Sequence, residues 1–156
     1  MNKAHHIKAK KTMAILLGAL TLTLAIFSPL TIVSCNSSDS DDVEKRVTEF
    51  AHSYFNLRLR QASSMCTEPS LRWIKYRAAN ITQADLDVLD AQTDTATCQI
   101  DDVNIKGDSA TVRITVNNFL LCDSIGKPGR ICKEAQMNIP VKKVNKVWLV
   151  DIDQLI

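Results

Sequence analysis

The stretch from Val112 to Leu121, VRITVNNFLL, decides the fold. Its apolar residues alternate with polar ones, as in a strand with one buried face. The apolar positions are even up to Val116 and odd at Phe119 and Leu121. One extra residue at Asn117–Asn118 would return both halves to the same face, so we predict a β-bulge there.

Three further strands are expected around this one. Cys98 to Ile105 alternates in the same way, and a turn at Lys106–Asp108 joins it to the central strand. The remaining strands are predicted from Ile131 to Val141 and from Val147 to Ile152. One register places six apolar side chains on the core face, with Val112, Ile114 and Val116 opposite Val141, Ile139 and Met137. The same register places Cys122 opposite Cys132.

Helical periodicity precedes the strands. Apolar residues at three- and four-residue steps predict a first helix over 43–63, capped by Asp41 with Glu44. Pro69 opens a second helix, and Thr82 with Asp85 caps a third. Helices followed by a four-stranded antiparallel meander define an α+β domain, which we place at residues 43–156.

Residues 1–34 have the layout of an export signal. Four lysines and no acidic residue precede the uncharged run from Met13 to Val33. Ile32-Val33-Ser34-Cys35 resembles a bacterial lipobox, and this resemblance implies cleavage before Cys35 and a lipid on that cysteine. The alternative is an uncleaved membrane helix, because the run has 21 residues. Pro29 and the missing basic residues after the run disfavour that alternative.

Residues 35–42 are expected to be the lipidated cysteine and a solvated acidic tether. Asn36, where many lipoproteins retained in the inner membrane have Asp, favours the outer membrane by the same resemblance. We therefore expect an exported protein that contacts membrane lipid through Cys35, in the periplasmic or the surface leaflet.

Charge and cysteine content narrow the partners. Without the four signal lysines, 15 basic residues face 17 acidic ones, which removes the electrostatic support for nucleic-acid binding. An even number of further cysteines in an exported domain indicates two disulfides. The predicted register favours Cys122–Cys132 and leaves Cys66–Cys98. No two of these cysteines have the close spacing of a zinc site, so no metal or cofactor is expected.

Two segments carry a resemblance to a known superfamily. They are Ile100-Asp101-Asp102-Val103 running into Gly107–Val112, and the closing stretch Lys146–Asp151. Together with helices before a curved sheet, they resemble the nuclear transport factor two-like, or cystatin-like, cone-shaped domain of small bacterial lipoproteins of unknown function. Some members of that superfamily are isomerases or dehydratases with a carboxylate, tyrosines or a histidine inside the cone.

No catalytic residue can be transferred from those enzymes. His52 is expected on the polar face of the first helix. Asp101 and Asp102 could form an acid–base pair, but such a pair more often marks a bulge or a strand edge. Trp148 is expected in the core. We therefore expect a protein that is not an enzyme.

The sequence favours a binding or accessory module of the envelope. Trp73 and Tyr76 are candidates for an exposed patch, and Lys127 lies in a glycine-containing loop that could contact an envelope protein or polymer. The alternatives are a cone-fold isomerase or hydratase and an immunity-type or structural surface protein. Three Asp-Ser/Thr-apolar triplets resemble O-glycosylation acceptors of some exported proteins, at Thr95, Ser109 and Ser124.

The lipid anchor can be tested directly. We expect Cys35→Ser to leave an uncleaved precursor that takes up no labelled fatty acid, because the thiol is the lipid acceptor in the resembled motif. The measurement is metabolic labelling with immunoblotting of whole cells. Cys66→Ser, which leaves the lipobox intact, is the control. Unchanged processing and labelling of Cys35→Ser would contradict the lipobox interpretation.

Overall fold

The longest helix, α1, spans Ser37–Phe55. In the computed structural model, which describes residues 37–122 and 127–156, the inward face of α1 is completely buried. That face consists of Val43, Val47, Phe50, Ala51 and Tyr54. The apolar stripe predicted from three- and four-residue spacing is therefore the core face of the helix.

Helix α1 begins six residues before its predicted start at Val43. Asp39 explains the extension, since its Oδ1 accepts hydrogen bonds from Lys143 Nζ at 2.7 Å and from Trp148 Nε1 at 3.3 Å. The carboxylate also lies in the first helical turn, where negative charge is favourable. Residues 37–42, expected to be a solvated tether, therefore belong to the folded domain.

The predicted helix over 43–63 is divided. Helix α1 ends at Phe55, Leu57 has a left-handed backbone (φ 56°), and α2 follows as Leu59–Ser63. A 3-10 turn at Glu68–Ser70 leads into α3, Leu71–Asn80. Helix α4 is Gln83–Asp90, and its predicted cap is confirmed as a reciprocal box between Thr82 and Asp85.

The sheet follows the helices, as expected. Strands β1 (Thr97–Lys106), β2 (Ser109–Leu121), β3 (Arg130–Val144) and β4 (Val147–Val150) form an antiparallel meander in the order β1-β2-β3-β4. One face packs on α1, where Phe55 meets Phe119 edge to face with 5.1 Å between ring centroids. The α+β prediction is confirmed.

The predicted β2–β3 register is wrong by two residues. Val112 pairs with Ile139 and Val116 with Ala135, instead of Val141 and Met137. Because side chains alternate with a period of two, a shift of two keeps the same residues on the core face. Apolar alternation alone therefore could not distinguish the two registers.

The predicted bulge is also displaced. The β2–β3 pairing has the same register on both sides of Asn118, which takes a left-handed φ of 54° and is followed by buried Phe119 and Leu120. The register shift lies in β1 instead, between Ile100 and Asp102. The acidic pair Asp101–Asp102 thus marks a bulge, the structural interpretation favoured for it.

The two expected disulfides are not formed among the described residues. Cys132 lies opposite Phe119, and Cys122 comes three residues further along the chain. At ~3.3 Å per strand residue, that offset exceeds the ~7 Å that a disulfide can bridge. Cys66 adjoins Val150 of β4 through an isolated bridge, whereas Cys98 pairs with Val116 from β1 at the other edge of the sheet.

Thiol reactivity should follow this arrangement. Burial raises the pKa of Cys66 to about 12, and burial with the nearby charge of Asp101 raises the pKa of Cys98 to about 11. Both thiols therefore stay protonated and poorly nucleophilic near neutral pH. In the reduced folded protein we expect iodoacetamide to modify exposed Cys122 first and Cys66 last, as measured by timed peptide mapping.

The control for this experiment is the protein unfolded in guanidinium, in which the four thiols should react at similar rates. Equal rates in the folded protein would contradict the packing described for Cys66. A non-reduced peptide joining Cys122 to Cys132 in the purified protein would contradict the β2–β3 register itself.

Candidate functional site

A cavity of about 390 Å³ opens where α3, the start of α4, the end of β2 and the last residues of the chain meet. Its apolar wall is formed by Phe119, Leu120, Leu121, Leu155 and Ile156. Its polar side chains include Tyr76, Arg77, Thr82, Asp85 and Lys127. An apolar cavity with a few convergent polar groups is the usual form of a ligand site.

Arg77 is a basic residue in the lining of this cavity, yet it is buried, with 8% of its surface exposed. Its Nη2 donates to the carbonyl of Leu120 at 3.2 Å, and its guanidinium carbon lies 4.6 Å from the centroid of the Tyr54 ring. Its Nε is buried and has no hydrogen-bond partner in the part of the chain that the structure describes. A buried donor without a partner carries a desolvation cost that a ligand oxygen could offset.

Asp85 lines the same cavity and is buried. Its carboxylate accepts from the Gly129 amide at 2.6 Å and from the Thr82 amide and hydroxyl at 2.7 Å each. The Gly129 hydrogen bond, followed by those from Thr82 and by the charge of Arg77, lowers the pKa of Asp85. An ionised carboxylate with its acceptors occupied is a poor general base at neutral pH.

Gly129 packs closely against Asp85 and Leu120, two residues of the cavity lining. A Cβ at this position would lie 2.8 Å from Leu120 Cδ1 and 3.1 Å from Asp85 Oδ1. The close approach of the backbone therefore requires glycine, and it is what brings the amide within reach of the carboxylate.

Tyr54 lies beneath Arg77 in the core. Its hydroxyl donates to the carbonyl of Ile156 at 3.2 Å. Burial raises the pKa of Tyr54 despite the opposing charge of Arg77. The tyrosine is therefore a neutral hydrogen-bond donor and supports the guanidinium with its ring face.

The predicted partner-binding residues are only partly brought together. Tyr76, 42% exposed, and Lys127 both line the cavity. Trp73 is half-buried and packs against the core, with Arg72 4.9 Å above its ring centroid, so it does not form an exposed patch with Tyr76. Lys127 of the loop and Tyr76 of α3 thus line one cavity, which the sequence pattern did not predict.

The residues considered for catalysis in the sequence, His52, Asp101 and Asp102, are not part of the cavity lining. His52 is exposed on α1, and Trp148 is buried, both as predicted. Asp101 accepts from Thr115 and Gln136, and Asp102 forms an exposed ion pair with Arg113 at 3.4 Å.

Two of the three acceptor-like triplets lie next to the starts of strands. Thr95 and Ser109 are exposed, before β1 and at the start of β2. Ser124 and Cys35 lie outside the described residues. Glycosylation and lipidation at these positions stay predictions.

Arg77 and Asp85 were missed as site residues by sequence reasoning. Arg77 follows Ile74 by three residues on α3, a spacing that places a charged residue on the buried side of an amphipathic helix. A charged residue at a buried helix position could have been recognised from the sequence as a candidate site residue. Asp85 was assigned as a cap, which is correct, but its contact with Gly129 depends on a distant hairpin.

Metal and membrane-spanning features can be stated for residues 37–122 and 127–156. Those residues contain no group of three or more His, Cys, Asp or Glu side chains arranged to hold a metal ion. No helix within them is long and apolar enough to cross a membrane.

The fold has relatives among solved structures. An NTF2-like protein of unknown function from Methylobacillus flagellatus KT has a TM-score of 0.52 at 10% identity, over 76% of this chain and 92% of that one. A cystatin-like protein of unknown function from Nostoc punctiforme has a TM-score of 0.47 at 12% identity, over 76% and 93%. A candidate NTF2-like transpeptidase from Campylobacter jejuni has a TM-score of 0.44 at 17% identity, over 70% and 97%.

The likeness to the Methylobacillus flagellatus protein shows the fold alone. The sequence matches no family profile and no curated protein. The chain has the NTF2-like fold that the closing strand and the turn after β1 indicated. Identities this low leave the activity open.

Asp85 should make stability depend on pH. The pKa of Asp85 is lower in the folded state than in the unfolded state. Its ionised carboxylate therefore stabilises the folded protein at pH values above the unfolded pKa, and this stabilisation is lost as the pH falls through the folded pKa. We expect the free energy of unfolding to fall below about pH 4. Asp85→Asn should be less stable than the parent at pH 7 and should lose less stability on acidification.

Urea denaturation of the parent and of Asp85→Asn across this pH range is the measurement. Asp87→Asn, on the same helix and outside the cavity lining, is the matched control. Parallel pH profiles for the parent and Asp85→Asn would contradict the role given to the Gly129 and Thr82 hydrogen bonds.

Proposed function

We propose that this chain is an exported lipoprotein, anchored through Cys35, whose domain binds an envelope partner without catalysis. The observation that supports the proposal best is the cavity beside Tyr76 and Lys127. Its wall contains the buried Arg77, whose Nε has no hydrogen-bond partner within residues 37–122 and 127–156. The partner would place an apolar group against Leu120 and Leu121. A carboxylate or carbonyl oxygen of the partner would accept from Arg77.

The charge arrangement favours binding over acid–base chemistry. Asp85 is held ionised by its hydrogen bonds, and the pKa of Tyr54 is raised further from neutrality. A proton-transferring residue works best with a pKa near the working pH. The shifts at both groups move away from that condition.

The alternative is a cone-fold isomerase or hydratase that uses the same cavity. The observation in its favour is that a carboxylate, a tyrosine and an arginine converge there. Such an enzyme would have to free Asp85 from Gly129 and Thr82 when the substrate binds. An activity abolished by Asp85→Asn would identify this alternative.

Binding at the cavity can be measured with an anionic apolar probe, anilinonaphthalene sulfonate. We expect Tyr76→Ala and Lys127→Ala each to weaken the Kd roughly tenfold, about 1.4 kcal/mol, by fluorescence titration. Lys75→Ala, on the same helix and outside the cavity lining, controls for charge, and Tyr76→Phe should retain most of the affinity.

The same positions can then be tested in the envelope. A photo-crosslinking residue at Tyr76 should label a partner whose capture is lost in Lys127→Ala, whereas the same residue at Lys75 should not label it. Probe and partner capture that are unaffected by Lys127→Ala, together with turnover abolished by Asp85→Asn, would replace the binding function with the enzymatic one.

A further inference from the structure

The β3–β4 hairpin exposes apolar and basic side chains at its tip. Val144 and Val147 are paired directly across the hairpin and are 37% and 45% exposed. Lys142 and Lys146 are exposed beside them and form no ion pair within the described part of the chain. Asn145 and Lys146 have φ values of 50° and 68°, which is the geometry of a tight two-residue turn. The tip, residues 142–147, is therefore an exposed amphipathic turn.

The start of α1 is fixed against this hairpin. Asp39 Oδ1 accepts from Lys143 Nζ and Trp148 Nε1, and Lys143 Nζ lies 5.2 Å from the centroid of the Trp148 ring. A shallow cleft of about 290 Å³ lies between the two elements. Three basic side chains, Lys45, Arg46 and Lys146, line it with two acidic ones, Asp42 and Glu49.

The chain between this surface and the proposed lipid is very short. Cys35 precedes Ser37, the first residue of α1, by two positions. Two residues span at most ~7 Å. A lipid on Cys35 would therefore hold the first turn of α1, and the hairpin attached to it, at the level of the phospholipid headgroups.

We propose that the hairpin tip, residues 142–147, rests on the membrane in which the Cys35 lipid is inserted. Val144 and Val147 enter the interface, and Lys142 and Lys146 lie against the headgroup phosphates. Exposed apolar side chains next to lysines are the usual composition of an interfacial surface, and one lipid anchor gains substantially from an added basic contact.

This orientation deepens the proposed anchoring, on which it rests, and it also directs the cavity outward. Helix α1 has 19 residues, a length of about 28 Å. Phe55 at its far end contacts Phe119, which lines the cavity. The cavity is thus at the opposite end of α1 from the membrane, where a partner can reach it.

Photo-crosslinking of the full lipidated chain tests the orientation. A diazirine amino acid is placed at Val147, and at exposed Asn80 beside the cavity as the matched control. The protein is reconstituted in vesicles of phosphatidylethanolamine and phosphatidylglycerol that carry a radiolabelled phospholipid. We expect phospholipid adducts at position 147 and no adduct at position 80. Lys142→Glu with Lys146→Glu should lower the yield at position 147 several-fold, and less so in vesicles without phosphatidylglycerol.

The outcomes separate the two proposals. Mass spectrometry that shows no lipid on Cys35 overturns the anchoring and with it the orientation. A lipidated protein with no adduct at position 147, or with equal adducts at both positions, overturns the orientation alone.

Discussion

The structure depends on the burial of one helix face under a curved sheet. Phe50, Tyr54 and Phe55 of α1 are almost fully buried, and each such side chain contributes roughly 1.5–3 kcal/mol relative to exposure. The helix can be enclosed only if the sheet bends around it, and the bulge between Ile100 and Asp102 supplies a bend in β1. The cavity lies beyond the Phe55 end of α1, between α3, the start of α4, the end of β2 and the last residues of the chain.

Periodicity was sufficient to predict the order of elements and the buried faces. The helical stripe of α1, the reciprocal cap of Thr82 with Asp85 and the four antiparallel strands are all local patterns. The β2–β3 register could not be predicted from the alternation of apolar residues, because a shift of two residues preserves that alternation. The early start of α1 was also beyond reach, since Asp39 is stabilised by Lys143 and Trp148, which lie more than a hundred residues away.

The candidate site illustrates the same limit. Tyr76 and Lys127 were chosen separately, one as an aromatic on a helix and one as a loop residue, and only the fold brings them to one cavity. The spacing of Arg77 from Ile74 could have predicted a charged residue on the buried face of α3. What it does there follows from its contacts with Leu120 and Tyr54. Burying a guanidinium whose Nε has no partner among the described residues is costly.

The buried thiol of Cys66 has a consequence for the order of events in biogenesis. In the folded protein this thiol donates to the Ala62 carbonyl at 3.3 Å and is shielded from oxidants. An unfolded chain has no such shield, and an oxidant can join its cysteines in pairs that the fold does not hold. Under oxidising conditions, collapse of α1 onto the sheet must therefore outpace thiol oxidation, because slow folding would trap the chain in wrongly bridged forms.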